Sequence, residues 1–150
     1  MSRPIWKNPC TLQQLHEMHQ GTLCAHVGME FLEIGDDYLV ARMPVDQRTR
    51  QPMGILHGGA SVALAETLGS VGASMCVDPG VAVVGLEINA NHIRALRSGW
   101  VTGRAQPVHV GRTTQIWQIE LRDEQHRLTC LSRLTIAVLP KGSASLDRAP

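Results

Sequence analysis

The sequence predicts a single α+β domain, residues 1–150, in which one long helix lies against an antiparallel sheet. Three observations carry this. The stretch Gln51–Cys76 (QPMGILHGGASVALAETLGSVGASMC) opens as a loop and becomes a glycine- and alanine-rich helix whose one charged side chain is Glu66. Four extended segments separated by turn-forming residues follow it. Two shorter strands joined by Gly35-Asp36-Asp37 precede it. One helix against an antiparallel sheet is a two-layer arrangement. The second face of such a sheet would need covering, which points to an oligomer.

Taken in order, Met1 to Cys10 is a Pro-punctuated lead-in, expected to be flexible. Thr11 can N-cap a short helix that runs to Gln20 and ends at Gly21. His16 and His19 lie i,i+3 on it; with no third ligand in view, they read as a solvated pair rather than a metal site. Residues 22–27 add a further turn of helix. Gly28–Ile34 and Tyr38–Met43 are the first two strands. The central helix starts at His57-Gly58-Gly59. Val81–Arg94, Trp100–His109, Thr113–Arg122 and Leu128–Leu139 are the later strands. In the third of these, Gln115, Trp117, Ile119 and Leu121 alternate with Ile116, Gln118 and Glu120, the period of a half-buried strand. The tail from Pro140 is poor in hydrophobic residues and is expected to fray.

Composition narrows the function. The formal net charge is +1, which gives no electrostatic reason to expect nucleic acid or a membrane surface. Hydrophobic residues make up 43% of the chain and aromatic ones 3%, which predicts an aliphatic, small-residue core. The four cysteines, Cys10, Cys24, Cys76 and Cys130, make no C-x-x-C pair and no zinc spacing, so no metal is expected. No signal-peptide pattern opens the chain, and no span of about 20 residues is apolar enough to cross a bilayer. A reduced, cytoplasmic setting fits these features.

The central helix carries the chemistry. Glycine at 58 and 59 lets the backbone approach a ligand, and the free N–H groups of a helix start favour an anion or a developing oxyanion. Gly69 and Gly72 inside the helix imply close packing on the sheet, with Val62, Ala65, Leu68 and Gly72 leaning toward it. Glu66 and Ser70 are i,i+4 and share a face with Gly59 and Ala63. A lone carboxylate in an apolar stretch is paired, neutralised or functional. A structural ion pair with Arg94 or Arg112 is the plainest alternative.

The constellation Gln51, His57-Gly58-Gly59, Glu66 and Ser70 resembles the hot-dog-fold acyl-CoA thioesterases of the 4-hydroxybenzoyl-CoA type. Two bacterial groups are nearest in look: the 1,4-dihydroxy-2-naphthoyl-CoA thioesterases and the proofreading thioesterases of enterobactin synthesis. The matching segments are MPVDQRTRQPMGILHGGASVALAETLGS, VVGLEINANHIR and PVHVGRTTQIWQIELRDEQHRL. The resemblance implies a long helix wrapped by a curved antiparallel sheet. It also implies a homodimer, a dimer of dimers, and sites built from both subunits. Glu66 matches a catalytic carboxylate, nucleophile or general base. Gly58 matches the N–H that polarises the thioester carbonyl. Gln51 and His57 match groups that orient that carbonyl from the opposite subunit. Ser70 matches a hydroxyl that helps place water, and His92 a histidine near the thioester. Gly85, His92, Ile93, Arg94 and Ala95 match CoA contacts, as do His109, Val110, Gly111, Arg112, Thr113 and Thr114.

Those residue types suit thioester hydrolysis, which needs one carboxylate and one preorganised donor and no cofactor. Met53 stands where similar enzymes carry Phe, and is expected to line the acyl pocket and loosen its aromatic selectivity. The expected activity is hydrolysis of acyl-CoA, aromatic acyl groups favoured. The rivals are hydrolysis of an acyl carrier protein thioester, a non-catalytic acyl-CoA binding module, and a hot-dog hydratase or dehydratase, which the HGG…E pattern disfavours.

Overall fold

The computed structural model describes residues 3–143. In chain order the elements are α1 (Leu12–Met18), α2 (Leu23–His26), β1 (Glu30–Ile34), β2 (Leu39–Pro44), α3 (Gly58–Met75), β3 (Val83–His92), β4 (Trp100–Val110), β5 (Thr114–Arg122) and β6 (Leu128–Val138). The six strands form one antiparallel sheet in the order β1-β2-β4-β5-β6-β3, with α3 packed across one face. Both the long helix and the strand count follow the sequence reading, with ends displaced by a few residues. Among the described residues, no helix is long and apolar enough to cross a membrane.

α3 sits very close to the sheet, and its glycines are the reason. A Cβ on Gly72 would meet the Trp117 ring at 2.6 Å, and one on Gly69 would meet Leu134 Cδ2 at 2.7 Å. The buried face of α3 runs through Ser61, Leu64, Ala65, Leu68, Gly69 and Gly72. Val62, expected on this face, is only half-buried. Gln115, Trp117, Ile119 and Leu121 of β5 are fully buried beneath the helix, as the alternation implies. The core is not purely aliphatic: Trp117 is its largest fully buried side chain and stacks on Trp6 at 6.4 Å.

Trp6 belongs to the lead-in, which the sequence left loose. Instead its Nε1–H donates to Gly35 O at 2.7 Å, and the N–H groups of Lys7 and Asn8 donate to Met75 O at the end of α3. The expectation of a frayed tail falls on residues 140–150, of which 144–150 lie outside the described residues.

The two sheet edges differ. On β1, the Phe31 N–H donates to His16 Nε2 at 3.0 Å, so α1 blunts that edge. His16 and His19 both lie against the Phe31 ring, and His19 Nδ1 bonds Leu15 O at 2.7 Å. The pair is therefore packing and edge cover, not a solvated face. The free edge of β3 has no strand beside it among the described residues. It exposes Val84 and Leu86, with Ile93 just beyond its end, alongside Glu87, Asn89, Asn91 and His92. An unpaired edge of this length is a template for another strand.

The outer face of the sheet is polar. It carries Arg42, Arg104, Gln106, Gln118, Glu120, Arg122 and Arg133. Arg42 pairs with Glu30 at 2.8 Å and lies over Trp100, Arg104 lies over Tyr38, and Arg122 pairs with Glu120 at 2.7 Å.

The close contact of α3 makes Gly72→Val destabilising. Overpacking costs about 1–3 kcal/mol and outweighs the small gain in helix propensity. A thermal melt should show Tm lower by about 4 °C or more, and an unchanged or raised Tm would contradict the packing described.

Candidate active site

The site starts where the loop from Val45 enters α3. Buried Thr49 anchors it: its Oγ1 donates to Pro44 O at 2.7 Å, and its carbonyl accepts the His57 N–H at 2.8 Å. Residues 51–55 form a tight turn in which Gln51 N–H donates to Ile55 O and Gly54 N–H to Gln51 O, both at 2.9 Å. Gly54 has φ of +76°, the left-handed region that favours glycine. Gln51 Oε1 accepts from the Met53 N–H, which leaves the two Nε2 donors free to point away from the turn. The neighbouring segment is stapled on by Leu56 N–H to Leu96 O at 2.7 Å and by Arg50 Nε to Arg97 O at 3.1 Å.

His57 is the N-cap of α3, and its Nδ1 accepts the Gly59 N–H at 2.8 Å. Its other ring nitrogen, Nε2, then carries the proton and is a donor. The Gly58 N–H, the first of the helix, has no acceptor among the described residues. It points out of the positive end of the helix dipole, which suits a developing negative oxygen. His92 of β3 packs here: a Cβ on Gly58 would meet His92 Nε2 at 2.9 Å. Gln51, Gly58, His92, Ile93, Arg94 and Ala95 thus share one cleft of about 290 Å³, completed by Ile55, Leu56, Ser61 and Thr129.

Glu66 is not in that cleft. It lies eight residues further along α3, about 12 Å up the axis. Its Oε1 rests on the other end of β3, where a Cβ on Gly85 would meet it at 2.9 Å. The carboxylate is half-buried and makes no hydrogen bond or ion pair among the described residues. The alternative of a structural pair with Arg94 or Arg112 is not realised. Ser70, also half-buried, is one turn beyond Glu66.

The remaining expected residues fall elsewhere. His109, Val110, Gly111, Arg112, Thr113 and Thr114 form the end of β4, a turn and the start of β5, closed by Gly111 N–H to Thr114 O at 2.9 Å. Gly85 pairs with Ile136, which pairs with Gln115, so this segment is two strands from Gly85 on the Glu66 side. Arg112 lines a second cleft, of about 490 Å³, with Lys7, Cys76, Asp78 and Lys141. Met53, expected in an acyl pocket, is 71% exposed at the tip of its turn. Ser61 and Thr129 were not singled out from sequence. The signal for Ser61 was a hydroxyl one turn after Gly58 in an otherwise apolar helix.

The two most buried cysteines are not activated. Burial pushes the Cys76 thiol up to about 11 and raises that of Cys130 as well. Both remain thiols near neutral pH.

A long helix packed across one face of a six-stranded antiparallel sheet is the arrangement of the hot-dog fold. Residues 53–130 match the thioesterase superfamily. The chain belongs to that superfamily and is a thioesterase. It is 53% identical over 135 residues to the 1,4-dihydroxy-2-naphthoyl-CoA hydrolase of Escherichia coli (strain K12), covering 90% of this chain and 99% of that one. It is also 53% identical over 135 residues to the proofreading thioesterase EntH of Cronobacter turicensis, covering 90% and 98%. The crystal structure of a Haemophilus influenzae thioesterase superposes with a TM-score of 0.91 at 49% identity, covering 94% of this chain and 99% of that one.

Because Glu66 has no hydrogen-bond or ion-pair partner among the described residues, its removal should spare the fold. Glu66→Ala is expected to keep Tm within about 2 °C of wild type. Free-thiol release from a thioester substrate should fall about 10²–10⁴-fold. Near-normal turnover would remove Glu66 from the reaction.

Proposed function

We propose that the protein hydrolyses acyl-CoA thioesters, with aromatic acyl groups favoured, in a site assembled from two copies of the chain. One observation carries this reading. Glu66 rests on Gly85 and Gly58 rests on His92, at opposite ends of the same bare edge strand. A two-fold axis near the middle of β3 pairs that strand with its reversed copy. Gly85 of one copy then lies beside His92 of the other, and Glu66 comes to face the Gly58 N–H across the interface. Neither half is complete alone, since about 12 Å of helix separates them within one chain.

The chemistry follows from the groups so joined. The thioester carbonyl oxygen accepts from Gly58 N–H, with Gln51 Nε2 and His57 Nε2 within the same loop to orient it. Glu66 either attacks the carbonyl carbon or takes a proton from a water held near Ser70. In the first case the C–S bond breaks to a mixed anhydride, which water opens. In the second the hydroxide adds and the thiolate leaves directly. Both give a free carboxylic acid and the CoA thiol. Water is the only co-reactant, so no redox cofactor enters the reaction. Arg112, Lys7 and Lys141 give the second cleft three cations against Asp78, which suits the phosphates of CoA.

The aromatic preference draws on the E. coli relative, whose name gives a naphthoyl-CoA substrate. A second reading is a carrier-protein thioester. Arg50, Arg94 and Arg97 are exposed around the first cleft and would suit an acidic partner, and one relative is named a proofreading thioesterase. The chain would then work as a homodimer, or a dimer of dimers, with the acyl carrier protein as its visitor.

Mixing inactive variants separates a shared site from a single-chain one. Gly58→Pro deletes the donor; proline suits a helix start, and its added carbons press on the tip of the His92 ring. Alone, Gly58→Pro and Glu66→Ala should each be nearly inactive. After co-refolding in equal amounts, half the dimers are mixed and each holds one intact site, so about a quarter of wild-type activity returns. No recovery, with mixed dimers demonstrated by mass, would place donor and acid in one chain. Separately, Arg112→Ala should raise KM for acyl-CoA several-fold with little change in kcat, as loss of a phosphate contact does; an unchanged KM would remove that contact.

A further inference from the structure

We propose that Ser61 determines which acyl groups the site prefers, its hydroxyl pairing with a hydroxyl or similar polar substituent on the acyl group. This rests on the acyl-CoA reading above and names a feature of its substrate. Ser61 is only 4% exposed, on the face of α3 turned toward the sheet. Its N–H donates to His57 O at 3.2 Å, but its Oγ makes no hydrogen bond among the described residues. Ser74, on the same helix, shows the usual alternative: its Oγ donates back to Val71 O at 2.7 Å. No buried, solvent-sealed side-chain oxygen or nitrogen lacks a partner among the described residues, so the Ser61 hydroxyl retains an opening. The opening it lines is the Gly58 cleft.

The other polar groups of that cleft have places of their own. The Thr129 hydroxyl donates to Leu121 O at 3.1 Å, and Gln51 Oε1 accepts within its own turn. The Gly58 N–H and Gln51 Nε2 belong to the thioester carbonyl in the reading above, and His92 and Arg94 are exposed at the cleft's edge. Ile55, Leu56, Ile93 and Ala95 supply its apolar lining. A buried hydroxyl with no partner among the described residues discriminates in such a cleft, because it is left unpaired by a ligand that lacks the matching group. Ser61 is three residues from Gly58, about 4.5 Å along the helix axis. A planar aromatic acyl group whose carbonyl sits at the Gly58 N–H reaches across that distance. A serine hydroxyl both donates and accepts, so a phenolic hydroxyl can pair with it in either sense.

The test is the ratio of kcat/KM for hydroxybenzoyl-CoA over benzoyl-CoA, with the hydroxyl placed at each ring position, in wild type and Ser61→Ala. Wild type should favour one hydroxylated isomer, and Ser61→Ala should lower that ratio about tenfold, the larger fall being in kcat/KM for the hydroxylated substrate. A ratio within twofold of wild type at every ring position would overturn the proposal. So would an equal fall for both substrates, which marks a structural role. If the alanine form does not fold, Ser61→Cys keeps the size, weakens the hydrogen bond, and is read by the same ratio. Failure of the acyl-CoA reading looks different: wild type would then release no thiol from any of these substrates.

Discussion

The structure depends on how closely α3 lies on its sheet. Side chains absent at Gly58, Gly69, Gly72 and Gly85 let helix and strands approach to distances that a Cβ would block. Two of these contacts, at Gly69 and Gly72, are packing against Leu134 and Trp117. The other two let the His92 ring lie against the start of α3 and the Glu66 carboxylate against β3. Moving the helix outward by the width of a methyl group would part Glu66 from β3 and the start of α3 from His92. Interior helical glycine, unfavourable by about 1 kcal/mol in isolation, is offset by the contact it permits.

The same packing divides the proposed site. Donor and acid sit on one rigid helix, so no loop motion can bring them together. Each lies at one end of an edge strand that exposes Val84 and Leu86, while the opposite edge is closed by His16 and α1. Reversal of β3 across a two-fold axis unites what the helix keeps apart. Pairing that covers exposed apolar surface and completes the catalytic set in one event makes assembly and activity inseparable in this account.

Much of this was legible in the sequence. The alternation in Gln115–Leu121 set the buried face of β5, the His57-Gly58-Gly59 start set the bounds of α3, and the glycines at 69 and 72 announced close packing. What was not legible is non-local. Trp6 finds Gly35 and Trp117, and His16 finds Phe31, through contacts that no local period encodes. The arginine contacts on the outer face of the sheet are non-local too, with Arg42 meeting Glu30 and Trp100 on the two neighbouring strands. Met53 was given to a pocket, yet it stands in solvent in the single chain, since the wall it would meet lies on another molecule in this account. Ser61 was passed over as one small residue in an apolar helix, and only the unused hydroxyl beside the cleft distinguishes it.

The central claim is that Glu66 of one copy faces Gly58 of another. A crystal structure with a CoA ketone bound, in which a methylene replaces the thioester sulfur, reads this directly. The account predicts the ketone oxygen about 3 Å from the Gly58 N of one copy and its carbonyl carbon within about 4 Å of the Glu66 carboxylate of a second, paired through β3. A ketone held between Glu66 and Gly58 of the same chain, or bound away from both, would contradict it.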